Sequence, residues 1–70
     1  MEDYRVRFRN ECHELIERYN NLRRMIIKHK GGTLDFKPTC PIELLERQRD
    51  AMAEYIEILE VRAEIEGIEI

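Results

Sequence analysis

Residues 40–67 read CPIELLERQRDAMAEYIEILEVRAEIEG, and this stretch decides the fold. It carries a start and a stop for one long helix. Pro41 suits the first helical position, where its missing N–H would have no partner and its fixed φ is already helical. Cys40 is then the expected cap residue, with Glu43 placed near the positive end of the helix dipole. Gly67 can take the left-handed conformation that ends helices. Within these bounds Leu45, Met52, Ile56, Leu59 and Ala63 follow helical spacing and make one apolar stripe. Leu44, Ala51, Tyr55, Ile58 and Ile65 make a second, turned away from the first. A single neighbour needs an apolar face only about 100° wide. Two stripes therefore predict two contacts, one inside the chain and one to another copy. The plainer alternative is a loosely patterned surface with stray apolar residues.

Upstream, residues 2–30 form a second helical pattern. Phe8, Cys12, Leu15, Tyr19, Leu22 and Ile26 alternate steps of four and three, a coiled-coil-like seam, widened by Tyr4, Ile16, Met25 and Ile27. Glu2 and Asp3 open this helix and Lys28, His29 and Lys30 close it, which suits its dipole. Gly31-Gly32 ends it. The intervening GGTLDFKPTC has turn chemistry at both ends. Leu34 and Phe36 are expected to fold back and plug the hairpin end. The tail Ile68-Glu69-Ile70 offers two apolar residues for docking on a neighbouring subunit.

These readings predict an all-α antiparallel hairpin of two long helices, about 2–30 and 41–66, forming one domain over residues 1–70. Seventy residues bury a small fraction of their surface, so stability should lean on partners. Homo-oligomerisation is the expected remedy. Charged residues make up 39% of the chain and hydrophobic ones 43%, a balance that fits a helical soluble protein rather than a disordered one. No run approaches the roughly 20 apolar residues a membrane span needs, and the first residues lack a signal-peptide core. The expected location is the cytoplasm.

The net charge of −3 conceals an asymmetry. Residues 1–37 hold nine Lys and Arg against six Asp and Glu, whereas residues 38–70 hold three against nine. A basic first helix and an acidic second one should attract each other, each exposed pair contributing little. The basic half is a weak footprint for DNA or RNA, and the acidic half opposes it. In the hairpin, Cys12 and Cys40 stand roughly 28 Å apart along the helices, too far for a disulfide, which needs Cα atoms within about 7 Å. With His13 and His29 they fall short of a closed metal site, so neither metal nor cofactor is expected.

Three runs carry a family likeness: Thr33–Leu45 (TLDFKPTCPIELL), Gln48–Tyr55 (QRDAMAEY) and Leu59–Gly67 (LEVRAEIEG). They resemble a family of small proteins from bacteriophages and prophages of gut bacteria, related to one first noted in crAss-like phages. The likeness covers the second half closely and the first helix in general character. In size and hairpin plan such proteins are similar to phage anti-defence sponges, oligomeric hairpins that sequester cyclic nucleotide signals of host immunity. The resemblance implies binding in the host bacterial cytoplasm without catalysis.

A ligand of that kind needs paired cations for phosphate and a flat apolar surface for its base. Arg23, Arg24, Lys28, Lys30, Lys37 and Arg47 supply cations toward the turn, Thr39 a hydroxyl, and Phe36 and Tyr55 the stacking surfaces. The start of the second helix favours anions as well. The competing account has Lys28 and Lys30 serving the first helix's dipole and the arginines forming a solvated face. Two other functions fit the chain. It could be an interaction module that docks on a host defence protein through the second stripe, or a small phage structural or assembly protein. No nucleophile–base pair, phosphate loop or paired carboxylates point to an enzyme.

Overall fold

The computed structural model describes residues 3–70. Two helices, α1 (Asp3–Gly31) and α2 (Ile42–Glu66), lie antiparallel along a rod of 47 × 17 × 17 Å. The 29 residues of α1 at 1.5 Å each account for nearly all of that length. Residue 2, with which the first helix was expected to begin, lies outside the described residues.

The seams fold as their spacing dictates. On α1, Phe8, Cys12, Leu15 and Ile26 are buried, while Tyr19 and Leu22 are half-buried between them. On α2, Ile42, Leu45, Arg49, Met52, Ile56, Leu59, Ala63 and Glu66 alternate steps of three and four, and all are buried or half-buried. The main core joins Phe8, Cys12 and Leu15 to Leu59, Ala63 and Ile68, with Met52 and Ile56 packed against it. Ile26 is fully buried but stands apart from that cluster, toward the turn. Arg49 occupies the seam between the two, its Nε held 3.0 Å from the Asp50 carboxylate. The hairpin is therefore best packed at its open end.

Both helices stop by the same device. The Thr33 N–H donates to the Lys28 carbonyl (2.9 Å) and the Gly32 N–H to that of His29 (3.2 Å). At the end of α2 the Ile68 N–H donates to the Ala63 carbonyl (2.9 Å). Gly32 and Gly67 stand at φ 77° and 69°, the left-handed conformation such caps require. In the α2 cap the apolar contact also forms, since Ile68 and Ala63 share the main core. The tail was expected to dock on another subunit. Instead Ile68 is buried in its own chain, while Ile70 remains 41% exposed.

The start of α2 also differs from expectation. Pro41, not Cys40, is the cap residue, with φ −58° and ψ 142°. Its extended ψ keeps it outside the helix, and no side chain caps the end. The Pro41 carbonyl instead accepts from the Leu44 and Leu45 N–H groups at 3.1 and 3.3 Å. Cys40 is an exposed free thiol, and Cys12 is a buried one whose pKa is pushed up chiefly by that burial. In the loop, Leu34 is half-buried as a plug would be, but Phe36 is 56% exposed.

The charge asymmetry has a structural use. The last turn of α2 carries no basic residue, so its terminal carbonyls lack local cations. Arginines of α1 supply them. Arg5 donates to the Gly67 carbonyl (3.2 Å) and approaches that of Glu66 (3.4 Å), and Arg9 donates to that of Glu69 (2.8 Å). Beside them the Tyr4 hydroxyl donates to Glu66 (2.6 Å), and Arg62 donates to Tyr4 (3.0 Å). The Arg62 guanidinium also lies 4.9 Å from the Phe8 ring centroid and 3.6 Å from Glu66.

Candidate functional site

At the turn the loop lies against the last turns of α1 and leaves a shallow groove. Asn21, Arg24, Met25 and Lys28 form its helical wall, and Thr33, Leu34, Asp35 and Phe36 its loop wall. The helical wall follows from spacing, because positions 21, 24, 25 and 28 share one face. Two cations and one carboxylate give the groove a net positive charge, and the exposed Phe36 ring supplies a flat apolar edge. A second depression borders the other side of the loop, lined by His29, Leu34, Asp35, Phe36, Lys37 and Pro38. A larger hollow of about 640 Å³ lies at the opposite end of the rod. Glu57, Glu60, Glu64 and Glu69 line it, so it is a poor seat for an anion.

Of the residues expected to meet a ligand, the fold places Arg24, Lys28 and Phe36 around the first groove. Arg23, Lys30, Lys37, Thr39, Arg47 and Tyr55 do not line it, Lys37 bordering the second depression instead. Lys30 is already paired with Glu46 at 2.9 Å, a bond that holds the Glu46 carboxyl below its usual range. Thr39 and Arg47 are exposed. Asn21, Met25, Thr33, Leu34 and Asp35 were not anticipated there, although the step of three from Asn21 to Arg24 was a usable signal.

Tyr55 stands apart, thirteen residues beyond Ile42, roughly 20 Å of helix from the turn. Its hydroxyl donates to Glu11 of α1, while 43% of the residue stays exposed. The ring is thus oriented at its tip and partly open to solvent. That bond to a carboxylate, followed by burial and the Glu11 charge, raises the phenol's pKa above its usual value. The neutral phenol is then the form favoured by folding. Its contribution is fully present below about pH 10, the ordinary tyrosine value, and is lost as pH rises through the folded value. Tyr55→Phe should lack this alkaline loss, so its urea midpoint should fall less than the wild-type one between pH 9 and pH 11.

The rest of the second stripe is exposed too: Leu44 48%, Ile58 50% and Ile65 79%. Ala51 lies among them, also exposed. The first stripe faces α1 and this one does not.

Taken together, the molecule is a two-helix hairpin that presents open surfaces rather than an enclosed chamber. It belongs to the Sequestin family, whose model matches residues 2–65. No curated protein and no solved structure matches the chain. Among the described residues, no helix is long and apolar enough to cross a membrane.

Proposed function

We propose that this protein is a phage or prophage anti-defence factor that sequesters an anionic nucleotide signal of host immunity, most simply a cyclic nucleotide, by binding alone. It would act in the cytoplasm of the host bacterium and would do so as a homo-oligomer. The family's name speaks of sequestration, which supports the reading. One observation carries it. Arg24 and Lys28 stand one turn apart on the face that meets the exposed Phe36 ring. Two cations suit a phosphate, and the ring suits a base.

The chain has no tryptophan and three tyrosines, so a purine carried through purification should stand out at 260 nm and leave on denaturation. Calorimetry with cyclic mononucleotides, cyclic dinucleotides and cyclic ADP-ribose then identifies the class. Arg24→Glu should weaken that binding at least tenfold while circular dichroism stays helical. Wild-type affinity in this variant would remove the groove from the reading.

The exposed stripe of Leu44, Tyr55, Ile58 and Ile65 favours a second reading, an interaction module that inhibits a host defence protein. That reading predicts a preparation free of 260 nm absorbance and a binding defect in Ile58→Glu rather than Arg24→Glu.

A further inference from the structure

Leu44, Ala51, Ile58 and Ile65 recur every seven residues, and Gln48, Tyr55 and Arg62 each follow four later. That is a second heptad stripe, apolar at one of its two positions and mostly polar at the other, rotated by roughly 110° from the seam that meets α1. We infer that it seats α2 of a second copy, antiparallel, with the twofold axis passing beside Ala51.

Charge selects the direction. Residues 42–53 hold Glu43, Glu46 and Asp50 against Arg47 and Arg49. Residues 54–66 hold Glu54, Glu57, Glu60, Glu64 and Glu66 against Arg62 alone. A parallel pair would set the strongly acidic halves side by side. The antiparallel pair sets each acidic half against the nearly neutral one. Arg47 then falls within one residue's rise of Glu54 of the partner subunit, and the reverse contact forms by symmetry. Size complementarity agrees. Leu44 meets Ile58 of the partner subunit, and the small Ala51 lies where the two backbones come closest. Ile65, the most exposed of the stripe, then lies beyond the start of the partner subunit's α2.

The pairing has a consequence for the ligand, and this part rests on the sequestration reading. In one chain Arg47 and Tyr55 are eight residues apart, about 12 Å of helix. Across the axis Tyr55 stands level with Arg47 of the partner subunit. A ring already oriented through Glu11 thus gains a cation from the other copy. Two residues that one hairpin holds apart become one composite edge, twice per dimer.

Sedimentation without nucleotide tests the pairing. The wild type should sediment as a dimer at micromolar concentration. Arg47→Glu and Glu54→Arg should each weaken the dimer at least tenfold, and the double variant should recover it. Both positions are exposed, so circular dichroism should stay helical. In a Cys40→Ser background, Ala51→Cys should cross-link on mild oxidation and Leu44→Cys should not. The two Leu44 sites would lie fourteen residues of rise apart, about 21 Å, beyond a disulfide's reach. A monomer at every concentration, or Leu44→Cys linking as readily as Ala51→Cys, overturns the proposal. A dimer that binds no nucleotide in calorimetry keeps the pairing and removes the composite edge along with the sequestration reading.

Discussion

Leu59→Ala is expected to cost about 2–5 kcal/mol of folding free energy, the range for emptying a buried leucine site. Leu59 is 2% exposed and packs into the cluster of Phe8, Cys12 and Leu15. A chain of this size has about 3.5–10 kcal/mol in total, at about 0.05–0.15 kcal/mol per residue. The substitution therefore removes a large share and should leave much of the protein unfolded at ambient temperature. Alanine is a good helix former, so the loss cannot be blamed on propensity. Val61→Ala, at a position 52% exposed, is the control and should stay within about 0.5 kcal/mol. Urea unfolding followed at 222 nm checks both. Equal losses would mean that α2 is rotated about its axis relative to the seam described here.

Ile68→Ala should be nearly as damaging, although Ile68 lies beyond the last helical residue. It is 5% exposed and joins Phe8 and Ala63 in the core, which implies a loss of about 2–4 kcal/mol. Gly67 makes this possible by turning the backbone through the left-handed region, after which the Ile68 N–H bonds back to Ala63. Ile70→Ala, two residues on at a site 41% exposed, should cost well under half as much. The same urea series decides the matter. Indistinguishable midpoints for Ile68→Ala and wild type would mean that the tail does not contribute to the core.

The two seams were legible because alternating steps of three and four leave little choice of face. Gly67 was legible as a stop. The inward turn of Ile68 was not, because periodicity ends with the helix and says nothing of which way the next residue points. The exchange of Cys40 for Pro41 at the cap had a similar cause. The preference for a side-chain cap gave way to a proline carbonyl, whose role depends on a ψ that residue types alone leave open. The reach of Arg5 and Arg9 to carbonyls some sixty residues away left only a trace, the basic excess of the first half. At the candidate site, composition collected every cation near the turn into one cluster. Helical phase then divided them. Arg24 and Lys28 share a face, Lys30 is taken by Glu46, and Tyr55 lies too far along the rod for one hairpin to use it there.

Arg49 interrupts the seam between Ile26 and the main core, and that interruption gives the rod a polarity of firmness. The covalent bend, outside the main core cluster, is expected to be the slacker extremity. The free extremity, stitched by Tyr4, Arg5, Arg9, Arg62 and Ile68, is the anvil. Amide protons should persist longest near Leu59 and Ala63 and leave first around Lys28 and Leu45. A guest received at the bend would then meet the pliable part of the molecule, and its grip would tighten as that part settles around it.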